Sequence, residues 1–224
     1  MGILIIFGVF VLISWLISRQ LKSRFKKYSR IPLRSGLSGR EVAEKMLRDR
    51  GIENVRVTST PGRLTDHYNP LDRTVNLSAE VYQSRSIAAA AVAAHECGHA
   101  VQHAQAYAFL QLRSKLVPVI SISSRYMQWV LLAGIFTVEA YPGILLAGIA
   151  MFAATTLFSF ITLPVEFDAT KRALGWLTTT GIAVGEEYNK AKDALKWASL
   201  TYVVAALGSL ATLMFYIMIF MGRR

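Results

Sequence analysis

The chain alternates between long apolar runs and more polar segments. Four of the runs are long enough to cross a lipid bilayer as helices; they are Ile3–Ser18, Val117–Val138, Ile144–Leu163 and Ala198–Met221. The first run ends in Arg19 without a small-residue cleavage site, which is typical of a retained membrane anchor and not of a removed signal peptide. A short EAYPG turn separates the second run from the third, so these two are predicted to form an antiparallel hairpin.

The polar segment after the first run predicts helices and short strands. Ser38, with Glu41 three residues later, is a capping box at the start of a helix that Gly51 closes. The sequences NVRVTST and TDHYNPLDRTVNLS alternate as strands, and an Asn-Pro turn divides the second sequence into two. Residues 79–107 then predict one long alanine-rich helix. The pattern therefore predicts a mostly α membrane protein with about four transmembrane helices and a small α+β core.

The distribution of charge predicts the orientation of the spans. The net charge is +11, and most of the 25 Lys and Arg lie between Arg19 and Lys115. A second basic segment separates the third and fourth runs, whereas the hairpin turn has no Lys or Arg. By the positive-inside rule both basic segments are cytoplasmic and the N-terminus is outside. No nucleic-acid motif accompanies the basic residues, so nucleic acid is excluded as a partner.

The stretch AVAAHECGHAVQHA, residues 91–104, carries candidate chemistry. His95 and His99 are four residues apart on the predicted helix, so both side chains project from one face and can reach one ion. Glu96 lies at the edge of that face, where it can act as a general base on water. This is the HExxH arrangement of zinc metallopeptidases. The structural alternative is an ordinary alanine-rich helix that has collected polar residues, and the helical context favours the zinc site.

A hydrolytic zinc site needs a third protein ligand. His103 lies one further turn along the same helix, and three ligands in a row on a straight helix do not easily form a tetrahedron. Cys97 points elsewhere on the helix and is interpreted as a packing residue. The remaining source is LPVEFDATKRA, directly after the third apolar run, where Glu166 and Asp168 are the acidic residues. A carboxylate at the end of a membrane helix needs a partner, and a divalent ion would supply one.

Three blocks of sequence point to a known family. The blocks LTDHYNP with VNLS, then HECGHAVQHA, then LPVEFDATKRA together resemble the YugP-like membrane zinc metallopeptidases of bacteria, over nearly the whole chain. This family is more distantly similar to the HtpX-like and CAAX prenyl proteases. The resemblance implies a gluzincin-like zinc metallopeptidase core, made of a small sheet, the HExxH helix and a second helix that bears a glutamate.

The resemblance also assigns residues. In the HtpX-like and CAAX relatives the third zinc ligand is the first residue of an E-x-x-A-D segment, which implies Glu166 as the third ligand here and Ala169 in the alanine position. Thr170 stands where those relatives have aspartate, so the carboxylate that usually supports a ligand is missing at that position. Asp168 is a candidate for its substitute.

In proteases of this kind an edge strand beside the metal binds the substrate as an added strand. The resemblance implies that RTVNLS, residues 73–78, is that edge. His67 and Tyr68, just upstream, are candidates for donating hydrogen bonds to the developing oxyanion. A structural role in the turn is the alternative for both.

The predictions divide the chain into five segments. They are a transmembrane anchor at 1–18, a cytoplasmic metallopeptidase part with the HExxH helix at 19–116, a transmembrane hairpin at 117–163, a cytoplasmic segment with the third zinc ligand at 164–197, and a transmembrane helix with a tail at 198–224. The protein is expected in the cell membrane as a multi-pass protein, with its active site on or near the cytoplasmic face.

The predicted function is a membrane-embedded, zinc-dependent endopeptidase for membrane or membrane-proximal proteins, with a role in protein quality control suggested by the HtpX-like relatives. Two alternatives remain: an intramembrane site-2-type protease, whose LDG motif does not occur here, and a non-catalytic membrane scaffold or adaptor. The expected partners are peptide or protein substrates and the lipid bilayer. The small-residue face Ala205–Ala211 is suited to pairing with a second copy or another membrane protein.

Overall fold

Long helices dominate the fold. A computed structural model describes residues 2–222, with side chains from residue 8 onward, and these residues are mostly helical with one small sheet. The helices are α1 (Gly2–Tyr28), α2 (Gly39–Asp49), α3 (Ala79–Gln83), α4 (Ile87–Ala104), α5 (Ala108–Thr137), α6 (Pro142–Thr179) and α7 (Glu186–Met221). The strands are β1 (Arg56–Thr60), β2 (His67–Asn69) and β3 (Thr74–Ser78).

Three helices, α5, α6 and α7, are long and apolar enough to cross a membrane. They contain the third and fourth predicted spans and, up to Thr137, the second, so the expectation of a mostly α membrane-type protein is confirmed at that level. The first predicted span, Ile3–Ser18, lies within α1. The side chains of residues 3–7 are outside the described part of the chain, and the described residues give three candidate spans, not four.

Contacts divide the chain into two compact units. One unit comprises residues 2–16, 111–164 and 201–222, and the other comprises residues 17–110 and 165–200. Within the first unit, a Cβ atom on Gly134 would lie 2.5 Å from the Cα atom of Leu145, and one on Gly148 would lie 2.8 Å from the Leu131 side chain. Because these glycines bring α5 and α6 into direct contact on both sides of a short turn, the predicted antiparallel hairpin is confirmed.

In the second unit, the predicted boundaries of α2 are confirmed. Ser38 caps the helix, and its side chain and backbone exchange hydrogen bonds with Glu41 in a complete capping box. Gly51 follows the end of the helix with a φ of +66°, a conformation that glycine adopts without steric cost. Val42 and Met46 on α2 are fully buried in the main core, together with Leu77 of β3.

The sheet corrects one prediction. Its strand order is β1-β3-β2, with β3 parallel to β1 and antiparallel to β2. RTVNLS contains β3 and is therefore the central strand, so the expectation that it offers a free edge is wrong. Val75 and Leu77 are fully buried, as befits a strand that is hydrogen-bonded on both sides. The outer strands are β1 and β2.

The long alanine-rich helix predicted over residues 79–107 is also wrong, because it is broken between α3 and α4. Ser86 adopts an extended conformation and caps α4, its hydroxyl accepting a hydrogen bond from the Ala89 amide. Backbone atoms at the break are hydrogen-bonded to the segment between α1 and α2: Leu33 N–H donates to the Arg85 carbonyl, and Ile87 N–H donates to the Ile31 carbonyl. These tertiary hydrogen bonds outweigh the helix propensity of the surrounding residues.

Gly98 sets the distance between α4 and α6. A Cβ atom at this position would lie 2.6 Å from the Ala169 carbonyl oxygen and 3.1 Å from the Ala169 Cα atom. The contact with the oxygen is closer than a Cβ atom can approach, the contact with Cα is tight, and the obstructing atoms are backbone. The two helices therefore meet in this way only because residue 98 has no side chain.

We predict that Gly98→Ala and Gly175→Ala change stability in opposite directions. Gly175 also lies within α6, but a Cβ atom there meets nothing within 4 Å. Gly175→Ala should stabilise the helix by up to about 1 kcal/mol, since alanine is the better helix former. Gly98→Ala should cost about 1–3 kcal/mol by overpacking. Thermal unfolding in detergent measures both, and equal shifts for the two variants would contradict the close approach.

Candidate metal centre

Three side chains from α4 and α6 converge at one point. One ligand atom from each of His95, His99 and Glu166 lies within 4.8 Å of the other two. The Glu166 Oε2 atom is 3.3 Å from Nε2 of His95 and 3.6 Å from Nε2 of His99. Glu166 is only 2% exposed, so its carboxylate faces the two imidazoles and not solvent. The structure thus brings together the three residues that the sequence proposed as ligands.

The geometry and chemistry of this cluster fit zinc. Two imidazole nitrogens and one carboxylate oxygen are a usual donor set for Zn²⁺ at a hydrolytic site. With metal–ligand distances of about 2.0–2.2 Å in a tetrahedron, neighbouring ligand atoms are about 3.3–3.6 Å apart. The two distances from Glu166 match this separation, and the imidazole rings of His95 and His99 meet edge to face at 83°.

Each imidazole is held through its other nitrogen. Nδ1 of His95 is 3.2 Å from the Thr170 hydroxyl, and Nδ1 of His99 is 3.0 Å from the Gln102 amide oxygen. Partners of this kind orient metal-ligating histidines in proteins. Thr170, which replaces the aspartate of the relatives, therefore still supports a histidine, through a hydroxyl instead of a carboxylate.

Asp168 does not contact either histidine directly. Its Oδ2 atom accepts hydrogen bonds from the Gln102 amide at 2.8 Å and from the Arg172 guanidinium at 2.5 Å. The candidate substitute for the missing aspartate thus reaches His99 only through Gln102. Sequence reasoning did not single out Gln102. Its position three residues after His99, on the same face of the helix, was the available signal.

Glu96 is buried beside the ligands. Burial raises the pKa of its carboxyl to about 7, since a carboxylate removed from water loses hydration. The charge of His95 acts in the opposite direction, while the Glu166 and Asp66 carboxylates add to the increase. A carboxyl with a pKa near neutrality can both take up and release a proton, which is what general acid–base chemistry requires.

His67 and Tyr68 lie on the outer strand β2, and both have hydrogen-bond partners. His67 Nδ1 is 2.7 Å from the Thr65 carbonyl oxygen, and its charge influences the pKa of Glu96. The Tyr68 hydroxyl is 2.7 Å from Nδ1 of His103. His103 is therefore bonded to the sheet and lies outside the cluster of candidate ligands.

Cys97 is part of the core, in agreement with its interpretation as a packing residue. It is fully buried, and its thiol is 3.6 Å from the Ala43 carbonyl oxygen on α2. Burial raises the pKa of the thiol, because the thiolate would be formed away from water. The side chain is thus neither a ligand nor a reactive group.

A polar cavity of about 510 Å³ lies along the C-terminal half of α4. Its walls include Ala100 and His103 of α4, Tyr68 of β2 and residues 51–55 of the loop after α2. Glu96 and the three candidate ligands are not among the residues that line it.

The described residues form a small sheet, a helix with two converging histidines and a second helix that supplies a glutamate, together with three candidate spans. This combination is typical of a membrane zinc metallopeptidase. Residues 3–221 match the family described as "Putative neutral zinc metallopeptidase", and the chain belongs to this family. It is 42% identical over 205 residues to the "Putative membrane protease YugP" of Bacillus subtilis (strain 168), covering 92% of this chain and 90% of the relative. The resemblance to the YugP-like family is confirmed. No solved structure matches the chain.

We predict that removing the Glu166 carboxylate weakens metal binding more than removing that of Asp168. Glu166→Ala should lower Zn²⁺ affinity by more than about 100-fold, whereas Asp168→Ala, which acts through Gln102, should lower it by about 10-fold. Competition with a chromophoric chelator in detergent measures both affinities. Glu80→Ala, at an exposed carboxylate on α3, is the control. The reverse order would assign the ligand to Asp168.

Proposed function

We propose that the protein is a zinc-dependent endopeptidase that hydrolyses peptide bonds of membrane or membrane-proximal proteins. The observation that carries this proposal is the convergence of His95, His99 and Glu166 with a buried carboxyl, Glu96, directly beside them. The donor set suits zinc with one position left for the reacting groups. The membership of a zinc metallopeptidase family supports the same reaction class.

The residues divide the chemistry between them. His95, His99 and Glu166 would hold the zinc ion, which supplies Lewis acidity toward the scissile carbonyl and the attacking water. Glu96 takes a proton from that water as it attacks the carbonyl carbon. When the C–N bond breaks, Glu96 gives the proton to the leaving amine nitrogen. Its burial keeps bulk water away from the transferred proton.

We further propose that the substrate backbone pairs with β2. This strand replaces RTVNLS in the role of edge strand, because in the sheet it has a neighbour on one side only. Its residues His67 and Tyr68 are candidates for hydrogen bonds to the oxyanion. Strand pairing supplies affinity through backbone atoms and is compatible with many substrate sequences.

The charge distribution supports an active site on or near the cytoplasmic face. Both basic segments, including the one that carries the HExxH helix, belong on that side by the positive-inside rule. We propose membrane-protein quality control as the role. Further copies of the chain or other membrane proteins are proposed partners, together with the bilayer. Within the first unit, part of the small-residue face is already used, since a Cβ atom on Gly208 would lie 3.6 Å from the Phe10 ring.

Two observations argue against the alternatives. An intramembrane site-2-type protease carries HExxH in a membrane span, whereas α4 is not among the candidate spans. A non-catalytic scaffold has no need of a buried carboxylate between two imidazoles, which is costly to maintain without a cation.

The test of the proposed reaction is Glu96→Gln. This change keeps the size of the side chain but removes its ability to accept a proton, so cleavage of an unfolded protein substrate in detergent should fall by about 100-fold or more. Zinc content should stay at the wild-type level. Glu44→Gln, on the exposed face of α2, is the matched control and should cleave normally. Wild-type cleavage by Glu96→Gln would show that Glu96 is not the base.

A further inference from the structure

Gln102 is fully buried, and its amide group can adopt only one orientation. Its Nε2 atom lies 2.8 Å from the Val165 carbonyl oxygen and 2.8 Å from Oδ2 of Asp168. A carbonyl and a carboxylate accept hydrogen bonds and cannot donate them, so both amide hydrogens are used there. The amide oxygen must therefore be the atom that faces Nδ1 of His99. Since an amide oxygen only accepts, the hydrogen between them belongs to His99.

A second chain of hydrogen bonds determines the state of His95 in the same way. The Ser199 hydroxyl donates to the Leu195 carbonyl oxygen at 3.0 Å, which leaves the Ser199 oxygen free to accept. The Thr170 hydroxyl is 3.5 Å from that oxygen and donates to it. The Thr170 oxygen then accepts from Nδ1 of His95 at 3.2 Å. The direction of the whole chain follows from the carbonyl at its end.

We propose that Gln102 and Thr170 are positioning residues that keep a hydrogen on Nδ1 of both histidines. Nε2, the atom that faces Glu166 in both cases, is then the nitrogen left to bind the ion. Asp168 contributes by fixing the Gln102 amide. The inference rests on the proposed function as far as the bound ion is concerned. The hydrogen on each Nδ1 is a property of the protein without metal.

The role of the Thr170 hydroxyl can be tested with a conservative variant and a matched control. Thr170→Val keeps the shape of the side chain but removes its hydroxyl, and it should lower Zn²⁺ affinity by about 10–100-fold. Thr170→Ser restores the hydroxyl and should restore affinity. Thr178→Val makes the same change on the same helix, where the hydroxyl bonds only to the Leu174 carbonyl oxygen, and should leave affinity unchanged.

The role of the Gln102 amide can be tested in the same way. Gln102→Met replaces the amide with an unbranched side chain of similar size and should also lower Zn²⁺ affinity by about 10–100-fold. Gln105→Met makes the same change at the end of α4, where the amide oxygen accepts from Arg172, and is the control. Asp168→Asn retains an oxygen that can accept from Gln102, so it should bind zinc more tightly than Asp168→Ala.

Nuclear magnetic resonance of ¹⁵N-histidine-labelled, metal-free protein shows directly which imidazole nitrogens carry hydrogen. The chain has 4 histidines, so the spectrum is simple. His95 and His99 should both show a hydrogen on Nδ1, because each Nδ1 faces an oxygen that accepts it. Gln102→Met should change the signal of His99 alone, and Thr170→Val that of His95 alone. A role in packing alone would not separate the two histidines in this way.

The two readouts separate failure of this inference from failure of the proposed function. If the wild-type protein binds no Zn²⁺, the proposed function is wrong, and a protonated Nδ1 on both histidines still supports the inference. If wild-type protein binds Zn²⁺ but either histidine lacks a hydrogen on Nδ1 in the metal-free state, the inference is overturned. Wild-type affinity in both Thr170→Val and Gln102→Met also overturns it. If one of these variants does not fold, the Nδ1 signals of the wild-type protein and the Zn²⁺ affinity of the other variant decide whether the inference holds.

Discussion

A buried carboxylate between two imidazoles is the constraint on which the metal centre depends. An ionised group removed from water loses several kcal/mol of hydration, on the order of what holds a whole domain folded. Glu166, at 2% exposure, is stabilised by the His95 and His99 imidazoles that face it, and a bound cation would stabilise it further. The cluster and the fold are thus mutually dependent: the fold places the carboxylate, and its partners compensate for the cost.

Small side chains make this placement achievable. The run of alanines in α4 is buried almost throughout, and Gly98 lets the Ala169 backbone lie directly against the helix. A larger residue at position 98 would separate α4 from α6 and move Glu166 away from both histidines, and about an ångström of displacement is enough to spoil a metal site. The alanine run, which the sequence presents as a matter of helix propensity, therefore also has a packing function.

Features encoded by neighbouring residues were predictable, and those that depend on distant pairing were not. The Ser38 capping box and the four-residue spacing of His95 and His99 are local, and the structure has both as expected. The break before α4 depends on hydrogen bonds to residues about fifty positions upstream, such as Leu33. The central position of β3 depends on parallel pairing with β1, which no local pattern specifies. Gln102 escaped notice because a glutamine shows its role only once its neighbours are known.

The packing of Cys97 and Gly98 has a consequence for the sequence variation that this motif tolerates. In the general HExxH pattern the two middle positions are nominally free. Here Cys97 fills the core against α2, and Gly98 leaves room for the backbone carbonyl of α6. Each of the five consecutive positions is therefore under its own physical restriction. A saturation library over residues 95–99 should accept few amino acids at any of the five positions. For this fold, a sequence search that accepts any residue at positions 97 and 98 also returns sequences that cannot form the site.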